Sequence, residues 1–278
     1  MALGAPATRI ALLLAYDGAA YRGWQVQRDG ATVQGTVAEA LRPLVGKPVR
    51  LTGASRTDAG VHALGQVATF ETPRPLEPDV VRAALNATLP RDVRVVLAAS
   101  VPEGFDARRS ARLKRYGYLI DTGPVASPFV RGYAWHLGRA LDCDAIRNAL
   151  AGVRGTHDFS AFCAAAGRDR DPRRTVRSVR VVRRGSLVGV VVSADSFLHH
   201  MVRNLVGTVV EVGLGRRDVS APADLLATRD RRRAGPTAPS HGLFLLSVRY
   251  PWPIFPGRGR RARASFQVVP ISSSRGPR

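Results

Sequence analysis

The stretch GASRTDAGVHALGQ, Gly53–Gln66, places one carboxylate in a tight turn of a strongly basic chain. Arg56, Asp58 and His62 fall within seven residues, and a glycine follows two positions after the aspartate. The flanking residues are typical of β-strands, so we expect the aspartate on a loop held by a rigid scaffold, where reactive groups are often found. The alternative is an Asx-turn, in which the aspartate side chain only hydrogen-bonds to its own loop.

Arg56 has two possible roles beside this aspartate. A guanidinium group that pairs with Asp58 favours the ionised carboxylate, and an ionised carboxylate on a fixed turn can act as a nucleophile or a general base. Arg56 can instead bind a phosphate through its planar guanidinium group. The chain offers no serine–histidine–aspartate arrangement and no paired-carboxylate motif, so Asp58 is the candidate that carries the chemistry.

The charge balance predicts a polyanionic partner. The chain has 278 residues, with 42 Lys and Arg against 21 Asp and Glu, which gives a formal net charge of +21. Nearly all the basic residues are arginine, and Lys47 and Lys114 are the only lysines. Arginine suits bidentate recognition of phosphate, and nucleic acid is the commonest partner of such a basic protein. The alternative is that a GC-rich genome raises the arginine content everywhere.

Other protein classes are disfavoured by the composition. Cys143 and Cys163 are the only cysteines and have no metal-ligand spacing, so neither a disulfide framework nor a zinc site is expected. This cysteine usage fits a reducing cytoplasm. The apolar run that ends at Tyr16 is too short for a signal peptide or a membrane span, and we expect no membrane partner.

The pattern of apolar residues predicts two successive sets of strands and helices. The first set contains the strands TRIALLLAYDG, GQVATFET and DVRVVLAAS, a helix that begins at an N-cap Thr32 and ends at Gly46, and a helix EPDVVRAALNATLP. In the latter helix we expect Val80, Ala84 and Leu85 on the buried face.

The second set has the same character. It contains the strand KRYGYLIDTG, a helix capped by Asp142 or Asp144, a hairpin with its turn at Gly185, a long helix SFLHHMVRNLVGTVVEVG and a closing strand HGLFLLSVRY. The two sets predict an α+β protein with two related halves, residues 1–107 and 108–250. Residues 251–278 are rich in proline and arginine and predict a disordered basic tail.

The opening stretch resembles the signature of the tRNA pseudouridine synthase A (TruA) family. Eight further blocks resemble the family's motifs in the family's order: YDGAAYRGWQVQ, VQGTVAEAL, LNATLPRDVRV, FDARRSARLKRYGYLI, GTHDFSAF, RTVRSVRV, SFLHHMVRNLVGTVVEVG and GLFLLSVRYP. The resemblance covers about residues 8–251, and Ser55 departs from it because family members often have glycine there. It implies the pseudouridine synthase fold: two ferredoxin-like halves that form a continuous, mostly antiparallel sheet flanked by helices, with the active-site cleft between them.

The resemblance also implies an activity. Such enzymes isomerise uridine to pseudouridine in the anticodon stem-loop of tRNA, at positions 38, 39 and 40, with an aspartate nucleophile that Asp58 matches. The attack on C1′, the attack on the uracil C6 and a glycal route all remain open. The resemblance implies a cytoplasmic homodimer that binds tRNA and needs no cofactor.

The same resemblance assigns further site residues. Arg56 and Arg203 are expected to pair with Asp58, Tyr116 to stack on the uracil and Leu243 to form an apolar wall against the base. The candidates for RNA binding are Arg22, Arg108, Arg115 and His199. Metal binding is not expected, because adjacent His199 and His200 within a helix would point about 100° apart.

Two other functions are compatible with a basic α+β protein. One is a non-catalytic RNA-binding protein, which would have no need for an aspartate that faces a polyanion. The other is a related synthase that acts on a different RNA, which the order of the motifs disfavours. His62 is expected to be a structural or RNA-contacting residue in each case.

Overall fold

The computed structural model describes residues 8–73, 75–164 and 171–255, and these residues form one ten-stranded sheet with five α-helices. The elements of the first half are β1 (Thr8–Tyr16), α1 (Val33–Val45), β2 (Thr52–Gly53), β3 (His62–Thr72), α2 (Pro78–Thr88) and β4 (Val93–Val101). Those of the second half are β5 (Leu113–Asp121), β6 (Trp135–His136), α3 (Cys143–Ala151), β7 (Gly155–Asp158), β8 (Arg173–Arg184), β9 (Leu187–Ala194), α4 (Met201–Gly213), α5 (Ala221–Thr228) and β10 (Leu243–Arg249).

The two halves repeat one topology. The strand order in the sheet is β4-β1-β3-β10-β5-β9-β8-β7, and β2 pairs with β3 beside this path. The first half therefore reads β4-β1-β3-β2 and the second reads β10-β5-β9-β8. The first unit is β1-α1-β2-β3-α2-β4, and the second is β5-α3-β8-β9-α4-β10. If the strands of each unit are numbered 1 to 4 along the chain, both units have the strand order 4-1-3-2 across the sheet, as in a ferredoxin-like fold. The predicted α+β fold with two related halves is confirmed.

The last strand joins the halves into a single sheet. β10 runs antiparallel to β5, its partner in the second half, and Phe244 and Leu245 also pair in parallel with His62 and Ala63 of β3. The centre of the sheet therefore consists of β3, β10 and β5. The loop that carries Asp58 leads directly into β3, so it lies where the two halves meet.

Local sequence signals explain most helix boundaries. The Thr32 side chain accepts a hydrogen bond from the Gly35 amide at the start of α1, and Gly46 ends that helix in the left-handed conformation. Asp142 rather than Asp144 caps α3. The expected face of α2 is partly wrong, because Val80 is 62% exposed and its neighbour Val81 is buried instead.

The start of α4 also differs from the prediction. The helix was expected from Ser196, but it begins at Met201, and His200 precedes it in the left-handed region with a φ of 61°. Residues 196–200 form an irregular segment and a turn. This difference changes where the histidine pair points, as the site shows.

The helices cover one face of the sheet and shorter segments cover the other. The main apolar cluster contains buried residues of all five helices. On the opposite face, Phe105 and Phe255 pack against Ala11 and Leu13 of β1. The packed chain thus extends to Phe255, five residues into the segment predicted as a disordered tail, and residues 256–278 lie outside the described part. None of the helices in the described ranges combines the length and apolar character that a membrane crossing requires.

Candidate active site

The loop between β2 and β3 holds Asp58 at the centre of the sheet. The buried Thr57 anchors it, since the Thr57 hydroxyl lies 2.8 Å from the Tyr16 hydroxyl and the Thr57 carbonyl accepts a hydrogen bond from the Trp24 amide. The Asp58 carbonyl accepts a hydrogen bond from the Val61 amide and closes the turn. The carboxylate itself is 24% exposed, so it faces a space that solvent and a substrate can enter.

Two glycines are needed for this arrangement. Gly23 has a φ of 92°, and a Cβ atom at that position would lie 2.5 Å from the Thr57 carbonyl oxygen. Gly60 has a φ of 75°, and its Cβ would lie 2.7 Å from the Ser240 hydroxyl. Side chains are disfavoured at such positive φ values and at such short distances. The glycines therefore allow the loop to lie close to the segments on both sides.

Arg203, in the first turn of α4, contacts Asp58 across the join between the halves. Its Nη1 lies 3.4 Å from Asp58 Oδ2, and its Nε donates a 2.7 Å hydrogen bond to the Ala238 carbonyl. The second bond fixes the guanidinium group in place. The N-terminus of a helix also stabilises a nearby negative charge. The structure thus brings Arg203 to Asp58 as the family resemblance implies, and its part in catalysis stays a prediction.

Arg56 does not pair with Asp58, contrary to expectation. Its side chain is exposed and lines the same cleft, but among the described residues the cationic groups within ion-pair distance of Asp58 belong to His199, His200 and Arg203. Arg56 is two residues before Asp58 in a loop rather than a strand, so the spacing does not bring the two side chains together. Its position fits the second role, the binding of a phosphate.

The adjacent histidines converge on Asp58 instead of diverging. His199 Nε2 lies 3.5 Å and His200 Nε2 lies 3.4 Å from the carboxylate, and the two ring centroids are 4.0 Å apart. The expectation that they point about 100° apart is wrong, because both residues precede α4 and His200 adopts the left-handed conformation. Burial lowers the pKa of His200 more than the Asp58 charge raises it.

This cluster has the composition of a metal site, which the sequence did not predict. The ligand atoms of Asp58, His199 and His200 lie within 4.8 Å of one another. However, Arg203 contacts the same carboxylate at 3.4 Å, and its fixed positive charge would repel a dication placed there. The arrangement is better suited to stabilising a carboxylate than to holding a metal ion.

Tyr116 of β5 faces Asp58 from the floor of the cleft. Its hydroxyl lies 2.9 Å from the Ser55 hydroxyl, and the side chain of the fully buried Gln66 holds Ser55 by two hydrogen bonds to its backbone. The Tyr116 ring meets the Phe197 ring edge-on at 5.0 Å. Burial raises the pKa of Tyr116 well above its usual value, the Asp58 charge adds to this, and the Ser55 hydrogen bond opposes it. The phenol is therefore neutral at physiological pH.

Leu243 provides apolar surface in the same cleft. It is the first residue of β10, it is 6% exposed and it lines the cleft together with Val61. The apolar floor therefore comes from both central strands of the second half, β5 and β10. The family resemblance placed Leu243 at this wall, and the structure places it in the lining of the same cleft as Tyr116, although its cross-strand neighbour is Tyr118.

The cleft between the halves is strongly cationic. It has a volume of about 810 Å³, and its lining contains five Lys or Arg side chains and one carboxylate, that of Asp58, among the described residues. The five are Arg22, Arg56, Arg108, Lys114 and Arg203. Such a lining attracts a polyanion and places it over the single acidic group.

Arg115 lies outside this cleft, although the sequence predicted it as an RNA contact. Successive residues of a strand point to opposite faces, so Arg115 points away from Tyr116 and its Nε donates to the Ser193 hydroxyl at 3.3 Å. Burial lowers its pKa, and the charges of Arg249 and Arg180 contribute. Lys114 lines the cleft instead. Counting two residues back from Tyr116 would have identified it.

His62 links the two halves behind the cleft. It is 1% exposed, its Nδ1 lies 2.9 Å from Asp17 Oδ1, and its Nε2 lies 3.1 Å from the His241 carbonyl. The Tyr133 hydroxyl donates to the same Asp17 carboxylate at 2.6 Å. His62 is not part of the cleft lining. Its structural role is therefore the one that these contacts support.

Known proteins similar to this chain show the family to which it belongs. The family described as tRNA pseudouridine synthase matches residues 13–108 and 149–251. This chain belongs to that family. A tRNA pseudouridine synthase A of Myxococcus xanthus is 47% identical over 243 residues, which are 87% of this chain and 92% of that protein.

Further relatives carry the same name. One from Moorella thermoacetica is 45% identical over 241 residues, 86% of this chain and 98% of that protein. As a member of this family the chain is an isomerase of the tRNA pseudouridine synthase A type. Among solved structures, a Cbf5-Nop10-Gar1 complex aligns with 73% of this chain and 44% of that chain at 14% identity, with a TM-score of 0.34, a likeness too weak to carry an argument.

Proposed function

We propose that this enzyme converts uridine to pseudouridine in the anticodon stem-loop of tRNA, at positions 38, 39 and 40, with Asp58 as the nucleophile. One observation carries the proposal. Among the described residues that line the cleft, Asp58 is the one with a carboxylate, and five others have cationic side chains. A protein that only bound RNA would gain affinity without this negative charge.

The reaction is an isomerisation and needs no net oxidant or reductant. The N1–C1′ bond breaks, the uracil turns, a C5–C1′ bond forms, the C5 proton leaves and N1 gains a proton. Asp58 attacks C1′ or the uracil C6, or assists a glycal route, and all three begin with an ionised carboxylate. Arg203, His199 and His200 contact Asp58 at 3.4–3.5 Å and hold the carboxylate in position for this step.

The floor of the cleft fits a base that has left its stack. Tyr116 presents a buried aromatic ring and Leu243 an apolar side chain in the same cleft. Stacking of a base on such a ring stabilises it by about 1–3 kcal/mol, which helps to offset the cost of flipping. The neutral Tyr116 hydroxyl lies next to Ser55, so it takes the C5 proton only if it passes its own proton on.

The cationic lining supports tRNA as the polyanion. Arg22, Arg56 and Arg108 are exposed at the mouth of the cleft, where contacts with phosphates would orient the stem-loop. We further propose that the enzyme is a cytoplasmic homodimer with one tRNA spanning both subunits, which would explain basic character beyond that of a single cleft.

Position-specific mapping of pseudouridine tests the substrate. Total tRNA from cells with and without this protein is compared, and the purified protein is added back to the deficient tRNA. We expect pseudouridine at positions 38–40 to disappear in the absence of the protein and to return on its addition. Modification confined to another arm of tRNA, or to another RNA, would contradict the proposal and favour a related synthase.

A further inference from the structure

Lys114 is a nearly buried cation in the cleft for which the proposed chemistry gives no role. It is 8% exposed, it lines the cleft, and it lies two residues before Tyr116 on β5. Residues two apart on a strand share a face and are roughly 6.6 Å apart along it. Lys114 therefore lies beside the tyrosine ring on the side of the substrate.

The ammonium group of Lys114 lacks a partner in the described part of the chain. Among residues 8–73, 75–164 and 171–255, no hydrogen bond or ion pair of the Lys114 ammonium group is found, and Asp195 is the one carboxylate whose charge acts on it. The charged groups that act on it are Arg108 before β5, Arg174 on β8 and Asp195 after β9. Two of these three repel it, and burying a cation without a partner is unfavourable.

We propose that Lys114 binds the RNA phosphate next to the flipped uridine, together with Arg108. This inference rests on the proposed function, because it takes the stacked uridine on Tyr116 as its reference point. A phosphate within one nucleotide of a base on that ring comes close to Lys114. The RNA phosphate thus supplies the negatively charged partner of the Lys114 ammonium group.

The choice of lysine is itself informative. Only two of the chain's 42 Lys and Arg residues are lysines, and the other, Lys47, is exposed on the surface. A guanidinium stays charged in any protein environment, whereas a buried ammonium can lose its proton. Burial, with Arg108 and Arg174, lowers the pKa of Lys114 to about 8. Above about pH 8 this lysine can therefore be neutral in the free enzyme and charged in the complex.

At alkaline pH, Lys114 then takes up a proton when the RNA binds. A phosphate beside Lys114 raises the pKa of the ammonium in the complex. As the pH rises above about 8, the free enzyme holds Lys114 neutral, and the affinity for RNA falls. Arginine side chains in general keep their charge throughout this range, so the effect is specific to a lysine.

The variant Lys114→Met tests the inference, because it keeps the length of the side chain and removes the charge. With an anticodon stem-loop RNA we expect Kd and KM to rise about tenfold, as for the loss of one charged hydrogen bond, and kcat to change less than about twofold. The slope of log Kd against log salt should fall by roughly 0.7, the value for one phosphate on a single strand. The weakening above pH 8 should disappear.

Two controls separate this role from others. Lys47→Met removes the only other lysine, and it should leave Kd, the salt slope and the pH dependence unchanged. The melting temperature of free Lys114→Met should equal or exceed that of the wild type, because the variant removes a largely buried charge that Arg108 and Arg174 repel. A fall in stability would indicate a structural lysine and overturn the inference.

The kinetic constants of Lys114→Met give the other results that would contradict the inference. A loss of kcat at unchanged KM would assign Lys114 to the chemical step and contradict phosphate binding, as would an unchanged Kd and salt slope. Failure of the proposed function is distinguishable, since the wild type would then form no pseudouridine in the anticodon arm. Kd and the salt slope are measured whichever uridine is modified.

Discussion

The Ser55 hydroxyl lies 2.9 Å from the Tyr116 hydroxyl and ties the loop of Asp58 to the central strand of the second half. Ser55 stands at the position where the family resemblance leads us to expect glycine. In this chain the two hydroxyl groups satisfy each other in a largely buried position. The contact sets the distance between the carboxylate loop and the ring on which the base is expected to lie.

The first prediction concerns the Tyr116 hydroxyl. Tyr116→Phe keeps the ring but removes the oxygen, so kcat should fall by about a hundredfold or more, in the range of acid–base contributions, while KM changes little. Steady-state kinetics on tRNA measure this. Tyr118→Phe is the matched control, because the Tyr118 hydroxyl bonds the Pro239 carbonyl; it should cost about 1 kcal/mol of stability and leave kcat intact. An equal rise in KM for Tyr116→Phe would indicate a packing role.

Arg203 makes two contacts that a lysine cannot reproduce together. Its Nε bonds the Ala238 carbonyl and its Nη1 contacts Asp58, whereas lysine offers one nitrogen. Arg203→Lys should therefore lower kcat by about tenfold or more. Arg229→Lys, at an exposed residue that pairs with Asp158, should leave kcat unchanged. Full activity of Arg203→Lys would show that the fixed fork geometry is not needed.

Gly23 tests the close contact behind the Asp58 loop. In Gly23→Ala the new methyl group would lie 2.5 Å from the Thr57 carbonyl at a φ of 92°, so we expect a loss of about 2 kcal/mol or more and a loop displaced from its working position. Gly185→Ala is the control, with a φ of 56° and open space around it. It should cost about 1 kcal/mol and keep activity. Urea unfolding and turnover assays measure both, and equal activities would refute the need for this contact.

Acid pH should destabilise the fold through His62. Burial lowers the pKa of His62 more than the Asp17 charge and the His241 carbonyl raise it. The unfolded chain then binds more protons than the folded one below pH ~6.5, so the free energy of unfolding falls as pH falls through that value. The lowered pKa of His200 acts in the same direction.

Urea unfolding between about pH 7.5 and 5.5 measures this dependence. His62→Gln should show a smaller loss of stability over the same interval, because it removes one of the two histidines. Asp17 does not titrate in this pH interval. Burial acts to raise its pKa, but hydrogen bonds from Tyr133 and from the Ala19 amide, together with the nearby His62, hold that pKa below its usual value. A wild type that gains stability on acidification would overturn the assignment.

Some of the fold and of the site could be predicted because the signals are local. The helix α1 begins after Thr32, whose side chain caps it, and ends at Gly46 in the left-handed conformation, both as expected. Gly185 turns the hairpin of β8 and β9 in the same way. The pairing of Arg203 with Asp58 was expected from the family resemblance rather than from spacing, since 145 residues separate them.

Other features depend on tertiary contacts that no local pattern contains. The left-handed His200 delays α4 and turns two histidines towards Asp58, and the sequence signal there is that of a continuous helix. Arg56 is near Asp58 in sequence and lines the same cleft, but it forms no ion pair with it. Lys114, by contrast, could have been found, because strand alternation from Tyr116 places it in the cleft.

The variant Asp58→Asn tests the central claim most directly, through the release of tritium from C5-labelled uridine in tRNA. The amide cannot act as the nucleophile, so release should fall by about 10⁴-fold or more. Binding of tRNA should stay the same or tighten, since a negative charge leaves a cationic cleft. Asp29→Asn, at an exposed residue of the first half, should release tritium at the wild-type rate. Turnover of Asp58→Asn close to that of the wild type would contradict the account.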